Sequence, residues 1–367
     1  MSYQALYRKY RPNNFNEIVG QEHIVSTLEN QVKANKIVHA YLFCGSRGTG
    51  KTSTAKVFAR AINCENNSNG SPCESCNVCK SMNEAGNIDI IEIDAASNNR
   101  VDEIREIREK VKFSPVNSKY KVYIIDEVHM LTDSAYNALL KTLEEPPRHI
   151  VFILATTEPH KLPATILSRC VRFDFGLVST TLLENHLKNI LKRENVEFDE
   201  ESVKVIANAG EGSVRDTLSI ADSVISYCNG KLTLDKVLEI LGLNDNETLI
   251  EITESIFNKN LGKCLEIIDK TYKQGKNMSV FAKDLSVHFR NLLVIKTCNE
   301  PNKILNLPNN IYEKFELQAK SLLEKDLMQA MKSFGNIESE LKYALSPRIL
   351  IETTIIGLIS GEDVKKN

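Results

Sequence analysis

A glycine-rich run at the start of a predicted helix offers the groups that bind phosphate. It follows the predicted strand Ala40–Cys44 and consists of Gly45, Ser46, Arg47, Gly48, Thr49, Gly50, Lys51 and Thr52. Its glycines let backbone N–H groups turn towards one anion, and the N-terminus of the helix Lys51–Arg60 adds partial positive charge. Lys51 can reach the β- and γ-phosphates of a nucleotide, and Thr52 can offer its hydroxyl to Mg²⁺. The alternative is a chance glycine-rich turn, which the flanking strand and helix disfavour.

Two carboxylates, Asp126 and Glu127, follow the predicted strand Val122–Ile125. In an ATP-hydrolysing site the first would hold the magnesium shell and the second would orient the attacking water. A solvated acidic turn is the alternative, and the upstream glycine-rich run argues against it. A further strand, Ile150–Ala155, leads to Thr157, which we expect to report on the γ-phosphate, although threonine after a strand is also ordinary turn chemistry. Together these motifs predict an ATPase that uses ATP and Mg²⁺.

Four of the nine cysteines cluster with the spacing C-x8-C-x2-C-x2-C, namely Cys64, Cys73, Cys76 and Cys79. Four thiolates can close a tetrahedral Zn²⁺ shell without an open position, so we predict a structural zinc site. An iron–sulfur cluster is one alternative, but the fourth cysteine lies upstream and no Cys-Pro follows. Unmetallated thiols are the other alternative.

These residues need a scaffold, and the pattern of the chain predicts one. Residues 1–178 alternate apolar β-rich runs, including Ile88–Ile93, with helical patterns, which is typical of a parallel sheet covered by helices on both faces. From about Thr180 the β runs stop and helices are predicted at Leu182–Arg193, Glu201–Ala209 and Val214–Tyr227. We expect three domains: an α/β domain 1–178 with the cysteine insertion 64–79, a small helical lid 179–242, and an all-α domain 243–367.

Composition agrees with a soluble globular protein of two or three domains: 367 residues, 42% hydrophobic, 26% charged and a net charge of −2. The sequence has no run of about 18 apolar residues and no secretion signal at its N-terminus. We therefore expect a cytoplasmic protein with no membrane partner.

One basic segment is a candidate for contact with DNA. Arg105, Arg108 and Lys112 share a face of the predicted helix Val101–Lys112, and Arg100 precedes it. Basic side chains that face phosphates bind nucleic acid whatever the net charge. Because acidic residues intersperse the same segment, a solvated helix is the alternative.

Arg169 lies about a dozen residues after the third strand, at the edge of the α/β domain. The chain geometry makes it a poor partner for its own phosphate site, so we expect it to act on the site of a neighbouring subunit. A surface pair with Glu158 or another carboxylate is the alternative.

Several further motifs identify a family. Residues 1–242 resemble the gamma/tau subunits of bacterial DNA polymerase III, the AAA+ ATPases of the sliding-clamp loader. The resemblance rests on the phosphate turn and on Leu6–Pro12, Phe15, Val19–Glu22, Asp126–Met130, Leu143–Pro147, Ser168–Cys170 and Gly212–Asp216. Residues 243–367 match only in being helical.

The resemblance implies an AAA+ P-loop domain, a helical lid and a helical collar that oligomerises. It implies that the chain is the ATP-hydrolysing motor of a hetero-pentameric ring and not the polymerising chain. This ring would load a sliding clamp onto primed DNA, which the chain would contact through Arg105 and Arg108. The resemblance also implies that Tyr7 and Arg11 fold over the adenine, where a packing role is the alternative. It implies further that Arg215 contacts the γ-phosphate, where an ion pair at the turn of Asp216 is the alternative. The competing functions are another AAA+ DNA-processing ATPase, which has no reason for the cysteines, and a nucleotide-binding scaffold subunit.

Overall fold

The computed structural model describes residues 3–67, 69–81, 87–97, 106–107, 109–228, 230–241, 246–305, 307, 309–341 and 343–361. The chain divides into two compact units, Met1–Leu234 and Asp235–Asn367. Arg100, Arg105 and Arg108, which we predicted near DNA, lie outside the described residues. Lys112 is described and forms an exposed ion pair with Glu109 at 2.6 Å.

The first unit is built on a five-stranded parallel sheet of order β2-β3-β4-β1-β5. Its strands are β1 Ala40–Gly45, β2 Ile90–Asp94, β3 Lys121–Asp126, β4 Ile150–Thr156 and β5 Val171–Phe175. The four predicted strands are confirmed to within two residues. The fifth was not predicted because it lies at the edge of the sheet, where charged, exposed Arg172 and Asp174 interrupt the apolar pattern.

Helices cover both faces of this sheet because successive strand residues point to opposite sides. Leu42, Tyr123 and Phe152 belong to one buried cluster, whereas their strand neighbours belong to a second cluster on the other face. The helices of the unit are α1 Leu6–Lys9, α2 Glu22–Lys33, α3 Lys51–Asn63, α4 Asn77–Ser81, α5 Asp133–Glu144, α6 Ala164–Leu167, α7 Thr180–Arg193, α8 Glu200–Ala209 and α9 Val214–Cys228. Within the described residues of this unit, three 3-10 helices accompany them at Phe15–Glu17, Val128–Met130 and Pro159–Lys161.

The lid region, α7 to α9, confirms the three helices predicted there. The prediction that strands end near Thr180 is wrong, since β6 Glu197–Phe198 and β7 Lys231–Leu232 pair in parallel. Each has only two residues, which is too short to show the period-two alternation by which strands are recognised.

Helices are the only regular secondary structure among the described residues of the second unit. Its helices are α10 Leu234–Leu241, which begins at the boundary, α11 Asn246–Phe257, α12 Leu261–Lys273, α13 Met278–Thr297, α14 Pro301–Leu305, α15 Asn309–Ser321, α16 Glu324–Leu341 and α17 Pro347–Ser360. Phe289, Phe315 and Phe334 are buried in its core. Among the helices described in either unit, none combines the length and the apolar character that crossing a membrane requires.

Candidate functional site

The glycine-rich turn connects β1 to the N-terminus of α3, as predicted. Gly48 has a φ of 76°, in the region that glycine adopts without strain. A Cβ atom on Gly48 would lie 1.9 Å from Ser213 Oγ at the start of the lid helix α9, so the turn approaches the lid too closely for any side chain. The buried Lys51 folds back along the turn, and its Nζ donates to the carbonyl oxygens of Gly45 and Ser46 at 2.8 Å each.

The carboxylates at the end of β3 meet this turn. Thr52 Oγ1 donates to Asp126 Oδ2 at 2.7 Å, and Glu127 lines the same cleft as Lys51. Burial lowers the pKa of Lys51, and the charges of Glu127 and Asp126 oppose that shift. An ammonium, a hydroxyl and two carboxylates thus share one cleft, which suits an anionic ligand accompanied by a divalent cation.

Glu127 is held by residues from the end of β4 and from its own turn. Thr157 Oγ1 donates to Glu127 Oε2 at 3.0 Å, and Thr157 N donates to the same oxygen at 3.4 Å. The His129 ring lies 3.4 Å from this oxygen and was not singled out from the sequence. Thr157 therefore hydrogen-bonds directly to Glu127. That it reports on the γ-phosphate stays a prediction.

The cleft has a volume of about 160 Å³ and is formed within the first unit. The predicted residues that line it are Tyr7, Arg11, Arg47, Gly48, Thr49, Gly50, Lys51, Thr52, Asp126, Glu127 and Arg215. Gly45, Ser46, Thr157 and Arg169 are not among its lining residues. The N-terminal segment, the turn, the end of β3 and the lid thus converge on one cleft.

The lid contacts the glycine-rich turn through the first residues of α9. The backbone N–H groups of Val214 and Arg215 point to Gly48 O, at 3.1 and 3.5 Å. The Arg215 guanidinium lies 5.1 Å from the centre of the Tyr7 ring. Within the described part of the chain, Arg215 therefore contacts this aromatic face and forms no ion pair with Asp216.

Hydrogen bonds hold the N-terminal segment that carries Tyr7 and Arg11 on both sides of the cleft. Tyr10 OH donates to Glu194 at the end of α7, and burial raises the pKa of Tyr10 to about 12, with Glu194 adding to the shift. On the other side, Arg60 of α3 donates to Asn13 O at 3.0 Å.

Besides His129, Gln21 and His186 are site residues to which the sequence analysis gave no functional role. Gln21 is buried, donates from Nε2 to Thr49 O at 3.4 Å and to Gly176 O at 2.8 Å, and so ties the glycine-rich turn to the chain after β5. His186 of α7 forms part of the cleft wall, and burial followed by the charge of Arg193 lowers its pKa. The motif Val19–Glu22 contains Gln21, but no local pattern marks His186.

Arg169 follows α6 and is separate from the cleft lining. Its Nη2 pairs with Glu144 Oε1 at 2.8 Å, and its Nη1 donates to Thr165 O at 2.8 Å. A third of the side chain is exposed (33%). The carboxylate partner is Glu144 and not Glu158, which pairs with Lys161 at 2.8 Å.

The four clustered cysteines converge, as predicted. The sulfur atoms of Cys64, Cys73, Cys76 and Cys79 lie within 4.8 Å of one another. Backbone N–H groups donate to three of them at 3.3–3.4 Å, which favours the thiolate form that a metal needs. Four mutually close thiolates fit a tetrahedral metal ion with Zn–S bonds of about 2.3 Å.

The cysteine insertion also packs against the N-terminal segment. Asn14 Nδ2 donates to Glu74 Oε1 at 2.7 Å, and Phe15 N donates to Ser71 Oγ at 3.3 Å. Cys64 directly follows α3, which starts at the glycine-rich turn. The cysteine site is therefore continuous with two elements that build the cleft.

Three family models match consecutive parts of the chain. Residues 20–178 match DNA polymerase III, delta subunit. Residues 182–230 match the ATPase lid domain of the DNA polymerase III clamp loader subunit. Residues 232–367 match domain III of the DNA polymerase III subunits gamma and tau.

Similar proteins cover almost the whole chain. DNA polymerase III subunit gamma of Buchnera aphidicola is 36% identical over 98% of this chain and 100% of its own length. DNA polymerase III subunit tau of Bacillus subtilis is 44% identical over 98% of this chain, which spans 63% of that longer protein. A solved structure of Thermotoga maritima RuvB aligns with 67% of this chain and 79% of its own, at 18% identity and a TM-score of 0.48, too distant to support a conclusion.

Proposed function

This chain belongs to the family of DNA polymerase III subunits gamma and tau, and on that premise we propose that it is the ATP-hydrolysing motor of a sliding-clamp loader. The observation that carries the proposal is the cleft in which Lys51 and Glu127 accompany the 2.7 Å contact between Thr52 and Asp126. In this proposal the chain is an ATP hydrolase within a DNA polymerase holoenzyme and not the polymerising subunit.

ATP binds along the glycine-rich turn. The backbone N–H groups of residues 45–52 and the N-terminus of α3 surround the phosphates, and Lys51 neutralises the β- and γ-phosphates. The adenine lies beneath the N-terminal segment, next to Tyr7 and Arg11. This placement is supported by the hydrogen bonds that join the segment to the lid through Tyr10 and to α3 through Asn13.

Thr52 and Asp126 hold Mg²⁺, and their hydroxyl–carboxylate pair is the donor set that this hard cation prefers. When bound, Mg²⁺ neutralises charge on the phosphate oxygens. Glu127 orients the attacking water, and Thr157 holds its carboxylate at 3.0 Å and reports on the γ-phosphate.

Two arginines complete the site from different subunits. Arg215 contacts the γ-phosphate of its own cleft, supported by its place beside Gly48 at the start of α9. Arg169 acts on the cleft of the neighbouring subunit, supported by its partial exposure and its absence from its own cleft lining. An arginine supplied in this way is worth about 10³–10⁵ in rate.

The cysteine cluster binds Zn²⁺ through Cys64, Cys73, Cys76 and Cys79. All four positions are filled by thiolates, so the ion has a structural role and no catalytic water. The cysteine cluster follows α3 and lies next to Phe15, so a bound ion there would stabilise the elements that form the cleft.

The assembly is a hetero-pentameric ring that binds the sliding clamp and primed DNA in the cytoplasm. We assign residues 1–178 to the AAA+ domain, 179–242 to the lid and 243–367 to the oligomerising collar. The first family match ends at residue 178 and supports the first of these limits, whereas the third match begins at residue 232, inside the segment that we assign to the lid. Arg105 and Arg108 remain our candidates for contact with DNA.

The test is ATP binding and phosphate release by the chain, alone and reconstituted with partner subunits, clamp and primed DNA. Lys51→Ala should abolish ATP binding, and Glu127→Gln should keep binding but lose release. Lys56→Ala is the matched control, because Lys56 lies on the same helix and pairs with Glu92 at 2.5 Å. Release that survives both site variants would contradict the proposed function.

A further inference from the structure

The carboxylate of Glu127 depends on side-chain contacts for its orientation. Glu127 follows β3 with a left-handed φ of 47°, so it is no longer fixed by the strand ladder. Its Oε2 atom is contacted by Thr157 Oγ1 at 3.0 Å and by His129 Nδ1 at 3.4 Å. A water-orienting carboxylate must keep its geometry closely, because a displacement of about 1 Å can cost about 100-fold in rate.

His129 is built into this position. Its side chain is only 7% exposed, and its Nδ1 lies 3.1 Å from Oγ1 of the buried Thr156, at the end of β4. One ring nitrogen thus faces both Glu127 and the last residue of the strand that precedes Thr157. Removing the ring would leave a space beside Glu127 Oε2 into which the carboxylate can turn.

The other ring nitrogen reaches a different segment. His129 Nε2 lies 3.3 Å from Glu158 Oε1, and Glu158 is also paired with Lys161. Glu158 directly precedes the 3-10 helix Pro159–Lys161, from which the chain continues to α6 and Arg169. The imidazole therefore connects the turn of Glu127 to the segment that ends in Arg169.

We propose that His129 is a positioning residue that acts through its Nδ1 edge to hold Glu127 in its hydrolytic orientation. The inference rests on the proposed ATP hydrolysis and adds a residue to that site. The alternative is that His129 has only a packing role between β3 and β4. The two roles can be distinguished because loss of a positioning residue changes turnover without changing nucleotide affinity.

The experiment measures ATP binding and turnover separately in the reconstituted assembly. His129→Ala should lower kcat by about 10- to 100-fold and leave the Kd for ATP unchanged. His129→Asn, whose amide can replace the Nδ1 edge, should recover most of the rate, whereas His129→Gln, which reaches the Nε2 partner, should not. His160→Ala is the matched control: this exposed histidine lies 3.6 Å from the same Glu158, and its loss should leave kcat unchanged.

A double-variant cycle tests whether the effect passes through Glu127. In single-turnover measurements on a Glu127→Gln background, His129→Ala should change the residual rate less than about two-fold, since contacting residues that act as a unit are non-additive. Equal effects in both backgrounds, an unchanged or faster kcat in His129→Ala, or a parallel loss of ATP affinity would overturn the proposal. If His129→Ala does not fold, the opposite behaviour of His129→Asn and His129→Gln carries the test. A wild-type assembly without ATPase activity would instead contradict the proposed function.

Discussion

Replacing Gly48 by alanine should disturb the junction between the glycine-rich turn and the lid. The added Cβ would lie 1.9 Å from Ser213 Oγ and 3.1 Å from Ser213 Cβ. It would also be forced into a left-handed conformation, since φ is 76°. Gly50 offers a matched control, because its φ of 100° is also left-handed but the nearest atom to an added Cβ, Thr54 Oγ1, is 4.0 Å away.

The contacts allow the expected size of the effect to be worked out. A left-handed backbone costs alanine about 1–2 kcal/mol at either glycine. At Gly48, Ser213 Oγ must also move away by about 1.5 Å to reach a normal contact. That shift weakens the bond from Val214 N to Gly48 O at 3.1 Å and the cap from Asp216 N to Ser213 Oγ at 3.1 Å. Each is worth about 1 kcal/mol, so Gly48→Ala should cost about 2 kcal/mol more than Gly50→Ala.

Thermal unfolding of the nucleotide-free chain measures this difference. For a unit of this size, about 2 kcal/mol corresponds to a Tm about 4–8 °C lower for Gly48→Ala than for Gly50→Ala. Ser213→Ala alone should destabilise through loss of its cap, but in the Gly48→Ala background it should cost nothing or restore stability, because it removes the overlapping oxygen. Equal Tm values for the two glycine variants, together with an equal cost of Ser213→Ala in both backgrounds, would refute the reasoning.

Three further perturbations have defined outcomes. Arg169→Ala should lower hydrolysis in the assembled ring by about 10³-fold or more, and in mixed rings it should inactivate the neighbouring site. Glu144→Gln, which removes only an exposed ion pair, should leave hydrolysis unchanged. Loss of hydrolysis confined to the mutant subunit's own site would contradict action in trans. Metal analysis of protein purified without added zinc should find about one zinc per chain, whereas Cys73→Ser should lose the metal and stability; a metal-free, fully folded wild type would exclude a structural zinc. Burial lowers the pKa of His288 from 6.5 to about 4, so the unfolded chain binds that proton first and His288 by itself should cost the second unit up to about 3 kcal/mol as pH falls from 6.5 to 4. Burial raises the pKa of Asp284 to about 6, which opposes this loss. The His288 contribution is therefore measured by urea unfolding against pH as the difference between wild type and His288→Gln, and that difference should grow as pH falls.

Much of the fold and of the candidate site was predictable because the relevant signals are local. The glycine-rich turn occupies consecutive positions between a strand and a helix, so the convergence of Lys51 and Thr52 with the end of β1 follows from chain connectivity. The close spacing of Cys64, Cys73, Cys76 and Cys79 similarly predicted a cluster, and their four sulfur atoms lie close together. Continuous apolar runs identified β1, β3 and β4, which are buried along their length, but the charged edge strand β5 gave no such signal.

Pairings between distant residues were decided only by the tertiary structure. Sequence placed Arg169 at a domain edge, yet the choice of Glu144 over Glu158 as its partner depends on how α5 packs beside α6. Thr157 was predicted near phosphate, but the parallel register of β3 and β4 sets its hydroxyl on Glu127. The same register brings His129 to Thr156, although 27 residues separate them. Such contacts have no local signature, because the period of a strand or helix fixes which side chains share a face but not which residues of another element lie opposite them.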